Sequence, residues 1–163
     1  MNPRPSATVP GLGRWTYLTA AIVYLLDRAT KVLAERSLAD GEPIDLIEGV
    51  LRLRYTTNPG GAFGLFGGMP WLFLIAVGVA SVAIVVAART VDLRAAAVGL
   101  GMILGGAFGN VTDRAIRGEG LFDGTVVDFI DLHVWPVFNV ADMGIVIGAA
   151  LVVLASLGRD RAK

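Results

Sequence analysis

The sequence contains no cysteine and a single histidine, and both shortages exclude kinds of chemistry. Without cysteine the chain forms no disulfide, no thiolate nucleophile and no cysteine-ligated metal site. His133 alone cannot supply the set of ligands that zinc requires, and we expect neither a metal nor a cofactor. The formal net charge is zero, and a chain without an excess of basic residues is not expected to bind nucleic acid.

Charged residues are scarce as well, and the composition that replaces them is typical of a membrane protein. Only 17% of the residues are charged, 55% are hydrophobic, and the mean hydropathy is +0.66. Glycine is abundant at 21 residues, as in helices that pack closely in lipid. The sequence predicts an all-α membrane protein with four transmembrane helices and a small extracytoplasmic β element.

Apolar segments predict the four spans at about residues 14–34, 70–88, 95–111 and 138–157. The second of them contains no charged residue and is long enough to cross about 30 Å of hydrocarbon. The first is not interpreted as a cleaved signal peptide, because the helical pattern continues beyond Asp27 without a small-residue cleavage site. We expect residues 14–158 to form one four-span domain between a disordered cytoplasmic tail, 1–13, and a short cytoplasmic tail, 159–163.

The region between the first two spans, at about residues 40–68, is predicted to be the β element. Apolar and polar residues alternate in LRLRYT at 51–56, which is the period of a strand. NPGG at 58–61 then provides strong turn signals. The segment TVVDFIDL at 125–132 also has an extended pattern. Within span three, glycines at intervals of four (Gly101, Gly105 and Gly109) predict a tight helix interface.

Four spans place both termini on the same side of the membrane, and the basic residues indicate which side. The 14 Lys and Arg residues divide evenly between the two sides, so their number alone decides nothing. Arg89 and Arg94 after span two, and Arg159 and Arg161 at the C-terminus, stand outside the polar motifs of the chain. By the positive-inside rule, we expect cytoplasmic termini.

Acidic and amide residues gather where the spans meet the other membrane face, namely Asp27, Asn110, Asp113, Asn139 and Asp142. An ionised aspartate near the middle of a membrane helix costs about 2.5–3.5 kcal/mol on insertion scales. The cost is smaller near the interface, but a cluster at the helix ends still predicts a shared polar pocket near the extracytoplasmic face.

The helix-end residues also have simpler interpretations. Asn139 is suited to be a helix N-cap, with Asp142 completing a capping box and gaining from the helix dipole. Asn110 can merely terminate span three, and Asp113 with Arg114 can form an interfacial ion pair.

The residues of the loops have simpler interpretations too. Asp128, taken alone in VVDFI, would face solvent on a strand, and Asp131 would be solvated while remaining a rival for any acid role. Asn58 before Pro59 is by default a turn residue. His133 and Trp135 are better suited to be interfacial anchors than ligands.

Taken together, the segments resemble a known family. LDRATK at 26–31, NPGGAF at 58–63, GNVTDR at 109–114, VVDF at 126–129 and FNVAD at 138–142 occur in the order and membrane setting of lipoprotein signal peptidase. This is the bacterial signal peptidase II family, aspartic peptidases of the inner membrane. The resemblance covers the chain from about residue 15 to residue 157.

The resemblance implies a role for each matching residue. Asp128 and Asp142 would be the catalytic pair. The residues implied to bind substrate around the scissile bond are Asn58, Gly61, Asn110, Arg114, Asn139 and Ala141, and Asp27 and Asp113 would support the site. The chain departs from the family pattern at Arg28, where glutamine is usual, and at Gly61, where alanine is more frequent. We expect Arg28 to pair with Asp27 or to reach the interface.

The implied function is an intramembrane endopeptidase that cuts prolipoproteins before the diacylglyceryl-modified cysteine, acting as a monomer among membrane lipids. Two carboxyl groups held close together share a proton, so one can activate water while the other polarises the peptide carbonyl. Asp142, at a helix N-terminus, is the expected ionised member. The alternatives are a small transporter or a scaffold. A transporter predicts acids along a path through the membrane, whereas the terminal-side halves of these spans contain few.

Overall fold

The chain folds into a helical bundle with a small antiparallel sheet at one end. The structure, a computed structural model, describes residues 11–59, 70–120 and 124–161, without the side chains of 70–73 and 160–161. The helices of this part are α1 (Gly13–Leu38), α2 (Pro70–Ala88), α3 (Arg94–Ile116) and α4 (Val140–Arg161), and its strands are β1 (Ile44–Ile47), β2 (Leu51–Asn58) and β3 (Val126–Asp131). The expectation of a mostly helical protein with a small β element is confirmed.

Two of the helices are long and apolar enough to cross a membrane by themselves. They are α3 and the part of α4 from Val140 to Arg159. The described apolar part of α2, Leu74–Ala88, is shorter, and α1 carries charged residues in its second half. Each predicted span therefore coincides with a helix, and the clear membrane signal belongs to α3 and α4.

The helices differ from the predicted spans mainly at their polar ends. Helix α1 continues beyond residue 34, and α3 continues beyond residue 111, so that Asp113 lies within a helix and not in the following loop. Helix α4 begins at Val140, two residues later than predicted, and continues through residues 159–161, which the sequence assigned to a tail. The polar residues do not end α1 and α3, because Arg28 and Lys31 of α1 pair with Asp113 of α3.

Glycines allow α3 to lie in close contact with both α1 and α4. A Cβ atom at Gly101 or Gly105 would overlap backbone oxygens of α1, among them that of Ala20. On the other face, a Cβ at Gly99 would lie 2.6 Å from the carbonyl oxygen of Gly148 in α4. The glycine-lined interface predicted for span three is confirmed, and α3 is the central helix of this group.

The sheet joins two loops that are distant in sequence. Its order is β1-β2-β3, with both pairs antiparallel and with Thr56 opposite Asp128. The segment predicted at 40–68 therefore supplies two strands, whereas the third comes from the extended segment before α4; residues 60–69 lie outside the described part. The sheet packs on the end of α1 through the buried residues Ala34, Leu38, Val127 and Phe129. This packing brings β3 to the polar ends of the helices.

Candidate active site

Asp128 lies on β3 and is buried, with only 2% of its surface exposed. The neighbouring Val126, Val127 and Phe129 are buried too, so that both faces of this strand are covered. The interpretation of Asp128 as a solvent-facing strand residue is therefore wrong. Alternation predicts exposure only where one face of a sheet meets solvent, and here helices and the following loop cover the second face.

Asp142 lies in the first turn of α4, where Asn139 caps the helix. The Oδ1 atom of Asn139 accepts a hydrogen bond from the backbone N–H of Asp142 at 3.0 Å. In return, Oδ2 of Asp142 accepts one from the backbone N–H of Asn139 at 3.3 Å. The capping box expected from the sequence is confirmed, and it holds the Asp142 carboxylate at the positive end of the helix dipole.

Three asparagines direct amide donors at the two carboxyl groups. The Nδ2 atom of Asn139 donates to Oδ1 of Asp128 at 2.6 Å, so that one side chain contacts both aspartates. Asn58 at the end of β2 donates to the other oxygen of Asp128 at 3.2 Å. Asn110 of α3 donates to Oδ1 of Asp142 at 2.9 Å. Both Asn58 and Asn110 are thus more than a turn residue or a helix terminator.

The environment of Asp128 favours its protonated form. Burial and, to a lesser extent, the negative charge of Asp142 raise its pKa from 3.8 to about 6, against the opposing hydrogen bonds from Asn139 and Asn58. Both carboxyl groups line the same cavity, which is why the charge of Asp142 acts on Asp128. Such a pair can hold one proton between them at near-neutral pH.

The two aspartates open into a cavity of about 330 Å³. Its polar lining comprises Asn58, Asn110, Arg114, Asp128 and Asp142, and its remaining wall is formed by Val77, Ala107, Val126, Trp135, Pro136, Val137, Phe138, Ile145 and Val146. A mostly apolar pocket with a few converging polar groups is the usual form of a binding site for a largely apolar ligand.

The other residues implied by the sequence surround this cavity in different ways. Arg114 donates to the backbone oxygens of Pro59 and Gly124, at 3.2 and 3.3 Å, and so links the loops on either side of the site. Ala141 is fully buried behind the cavity, as is Asn139. Gly61 lies outside the described residues.

Asp27 and Asp113, expected to support the site, are fully buried and tie α1 and α3 to the elements that carry the aspartates. The Oδ1 atom of Asp27 accepts a hydrogen bond from the backbone N–H of Ala141 at 2.9 Å. Asp113 accepts one from the backbone N–H of Val127 at 3.2 Å. Gly109 makes room for this arrangement, because a Cβ there would overlap the Asp27 carboxylate.

Several cations compensate the charge of these carboxylates. Asp113 binds Arg28, Lys31 at 3.0 Å and Arg117 at 3.1 Å. Arg117 also binds Glu35 through two hydrogen bonds of 2.7 and 2.9 Å. Arg28 therefore pairs with Asp113 and not with Asp27, because it projects from α1 toward α3.

The loop after β3 contains the remaining polar residues considered in the sequence. Asp131 is buried and not solvated, because it accepts hydrogen bonds from Arg54 at 2.6 Å and from the backbone N–H of His133 at 2.8 Å. The hydrogen bond from His133 is the main reason that its pKa lies below the usual value. His133 itself is exposed and has a left-handed backbone with φ of 62°. Asp131 does not line the cavity, whereas the exposed Trp135 does.

Lys31 belongs to the motif at residues 26–31, but the sequence did not indicate a role for it in the site. It is fully buried and contacts Asp27 at 2.9 Å as well as Asp113 and Asn110. The spacing of Asp27 and Lys31, an acid and a base four residues apart in an apolar helix, was the signal that could have identified it. Within the described residues, no group of three or more acidic or histidine side chains is arranged to hold a metal ion.

Solved structures resemble this fold closely. One, described as a bacterial membrane enzyme, aligns with a TM-score of 0.80 and 28% sequence identity over 91% of this chain and 90% of its own. A second with the same description aligns with a TM-score of 0.75 over 87% of this chain and 92% of its own, again at 28% identity. Fold and sequence thus place the chain in the class of bacterial membrane enzymes.

Sequence comparison identifies the family. Residues 19–158 match the model of the signal peptidase II family, and the chain belongs to this family of membrane aspartic peptidases. Lipoprotein signal peptidases of Rhodococcus jostii and Mycobacterium avium are 46% and 47% identical over 86% and 85% of this chain, and over 71% and 76% of their own lengths. The lipoprotein signal peptidase of Mycobacterium tuberculosis is 43% identical over 94% of this chain and 76% of its own. The resemblance stated from the motifs is confirmed, and the transporter and scaffold alternatives find no support.

Proposed function

We propose that Asp128 and Asp142 are the catalytic pair with which this peptidase removes signal peptides from prolipoproteins. The observation that carries the proposal is the bridge formed by Asn139, whose Nδ2 donates to the carboxyl group of Asp128 and whose backbone N–H donates to that of Asp142, beside a cavity lined by both aspartates. A third aspartate of the same region, Asp131, is held by Arg54 and lies away from the cavity lining. The pair at the cavity is therefore the better candidate.

The two aspartates have environments suited to different tasks. Asp142 accepts hydrogen bonds from Asn110 and from the backbone of Asn139 at a helix N-terminus, which favours the carboxylate. As a general base it takes a proton from water, and the water oxygen attacks the carbonyl carbon of the scissile peptide bond. Asp128, whose raised pKa favours the acid, donates its proton to the carbonyl oxygen. When the tetrahedral intermediate breaks the C–N bond, the proton held by Asp142 passes to the leaving amine, and the intermediate returns a proton to Asp128.

The other residues of the site have supporting roles in this proposal. Asn58 and Arg114 line the cavity beside Asp128 and are suited to contact carbonyl oxygens of the substrate. Asn139 and Ala141 lie behind the aspartates, which suits the positioning of Asp128 and Asp142 better than direct contact with substrate. Asp27 and Asp113 hold the backbone next to each aspartate.

The substrate class implied by the family, a prolipoprotein with a diacylglyceryl-modified cysteine, fits the character of the cavity. Its wall between α3, α4 and the loop after β3 is largely apolar, as acyl chains and a signal helix require. Exposed apolar side chains on α4, including Val146 and Leu154, are suited to contact with lipid. We propose that the substrate enters sideways from the bilayer.

We further propose the topology expected from the sequence. All four helices span the bacterial inner membrane, the termini are cytoplasmic, and a monomer carries the active site near the extracytoplasmic face. An ion pair of 3.1 Å between Arg159 and Asp92 supports part of this arrangement, because it joins the end of α4 to the hairpin between α2 and α3. Arg159 thus does not stand apart from acids. It lies at the end of α4 opposite to Asp142.

The test is cleavage of a diacylglyceryl-modified prolipoprotein peptide by the purified protein in detergent or bicelles. Asp128→Asn and Asp142→Asn should each lower kcat by about 10²–10⁴-fold, the usual contribution of a general acid or base. Asp131→Asn is the matched control and should retain the wild-type rate. Near-normal turnover by either of the first two variants would refute the catalytic pair, and equal cleavage of the unlipidated peptide would refute the substrate class.

A further inference from the structure

Lys31 is a fully buried cation whose contacts are all made with groups that support the proposed catalytic pair. Its ammonium group has three protons and no lone pair. It donates a hydrogen bond to Oδ1 of Asn110 at 2.8 Å and forms ion pairs with Oδ2 of Asp27 at 2.9 Å and with Oδ2 of Asp113 at 3.0 Å. Each of these three oxygens belongs to a residue that contacts Asp142 itself, the residue before Asp142 or the residue before Asp128.

Two of these acceptors connect Lys31 to the backbone beside each aspartate. Through its other oxygen, Asp27 accepts the N–H of Ala141, the residue before Asp142. Through the same oxygen that binds Lys31, Asp113 accepts the N–H of Val127, the residue before Asp128. The ammonium group thus holds together the two carboxylates that fix the start of α4 and the start of β3.

The third acceptor determines the orientation of an amide. Because Lys31 can only donate, the side of the Asn110 amide that faces it must be the oxygen, and the NH₂ group must then face Asp142. The same oxygen of Asn110 accepts a hydrogen bond of 3.2 Å from Nδ2 of Asn139, whose orientation is likewise fixed because its oxygen caps α4. Both amides therefore present donors, and not acceptors, to the carboxyl groups of the proposed pair.

Charge compensation allows this arrangement to exist away from water. Asp27, Asp113 and Glu35 are balanced by Lys31, Arg28 and Arg117, which contact them directly. Arg28 and Arg117 approach from the more exposed side and contact Asp113, whereas Lys31 lies between Asp27, Asp113 and Asn110. Of these three cations, Lys31 is the one that contacts Asn110.

We propose that Lys31 is a positioning residue of the peptidase: its ammonium group sets the separation of Asp128 and Asp142 and fixes the Asn110 amide with its donor toward Asp142. This inference rests on the proposed function for its effect on catalysis. It does not require Lys31 to contact the substrate or the attacking water. A displacement of reacting groups by about 1 Å is enough to lower a rate by about 10²-fold.

The experiment compares wild type with Lys31→Met, which keeps an unbranched side chain shorter by one atom and removes its donors. Arg28→Gln is the matched control, because it also removes a cation from Asp113 but leaves Asn110 untouched. With the lipid-modified peptide as substrate, Lys31→Met should lower kcat by about 10²-fold while KM changes by less than about threefold. Arg28→Gln should match wild type in both kcat and KM.

Hydrogen–deuterium exchange provides a readout that does not depend on activity. Peptides that contain Val127 and Ala141 should exchange faster in Lys31→Met than in Arg28→Gln. If Lys31→Met fails to fold, Asp27→Asn/Lys31→Met, which removes one charge of each sign, is subjected to the same kinetic measurement. An unchanged kcat in the folded variant overturns the proposal, and so does unchanged exchange in Lys31→Met. If wild type does not cleave the peptide, the proposed function fails, and exchange alone decides whether Lys31 holds these two segments.

Discussion

The Oδ1 atom of Asp128 accepts a hydrogen bond of 2.6 Å from Nδ2 of Asn139. The same asparagine uses its oxygen to cap α4 at the backbone N–H of Asp142. The side chain that forms the helix N-cap therefore also connects the carboxyl group of Asp128 to the backbone of Asp142. The two roles can be separated by substitution, because one uses the amide oxygen and the other the amide nitrogen.

Asn139→Asp should keep the cap and impair catalysis. The introduced carboxyl group can still accept the N–H of Asp142, but when ionised it has no proton to donate to Asp128 and repels it. We expect the thermal stability in detergent to remain close to wild type near pH 5 and kcat to fall by about 10²-fold at pH 7. Cleavage should recover partly at low pH, where the new group is protonated and donates again.

Asn139→Ala provides the comparison for that variant. It removes the cap as well as the donor, so the helix should lose about 1 kcal/mol of stability in addition to the loss of activity. If Asn139→Asp were as active as wild type at pH 7, the amide donor would have no part in the site.

The pKa of Asp128 predicts how activity depends on pH. Since its pKa is raised to about 6 by burial and by the charge of Asp142, the acid form of the free enzyme is lost as pH rises through that value. We expect kcat/KM, which reports the free enzyme, to have an alkaline limb near pH 6. Asn58→Ala removes a hydrogen bond that favours the ionised form, and it should move this limb to higher pH. A limb that stays in place, or that moves to lower pH, would contradict the assignment.

The same group makes a contribution to stability with a defined sign. The folded protein binds this proton more tightly than the unfolded chain does, because the pKa rises from 3.8 to about 6 on folding. The contribution is fully present below pH 3.8 and is lost as pH rises through about 6. Thermal unfolding of Asp128→Asn should show a weaker decline of stability across this window than wild type does.

Gly105 tests the close packing of α1 and α3. A Cβ atom there would overlap the backbone oxygen of Ala20 and lie 3.0 Å from Cβ of Val23. Gly105→Ala should therefore destabilise the protein by about 1–3 kcal/mol, as overpacking does in other cores. The matched control is Gly78→Ala in α2, where the added atom meets nothing within 4 Å and should be neutral or slightly stabilising. Equal stability of the two variants, measured by unfolding in detergent, would argue against the tight interface.

Arg28, the departure from the family pattern, should be replaceable by the usual residue. Arg28→Gln removes one cation from Asp113, but Lys31 and Arg117 remain within 3.0 and 3.1 Å of it. The loss of stability should be about 1 kcal/mol, and not the larger cost of leaving a buried charge without a partner. Cleavage should continue at the wild-type rate. A variant that fails to fold would show that Arg28 is needed to compensate Asp113 and that the two remaining cations are insufficient.

Much of the fold was predictable because it depends on local sequence properties. Long apolar runs predict the helices within α2, α3 and α4, and glycines at intervals of four predict the packed face of α3, since hydrogen bonds within a helix and contacts along it involve neighbouring residues. The capping box of Asn139 and Asp142 was predictable for the same reason, because its two residues are three positions apart. The motifs were also sufficient to indicate the family.

Only the tertiary structure decided how the polar residues are used. A strand pattern could not show that Asp128 is buried, because its second face is covered by elements distant in sequence. Nor could the sequence show that Arg28 pairs with Asp113, or that Asp27 binds the backbone of Ala141 across 114 residues. Buried charges and amides must find partners wherever the fold brings them, since an unpaired one is costly in the absence of water. The sequence by itself determined the helices and their family, whereas the partners of each charge depend on how those helices pack.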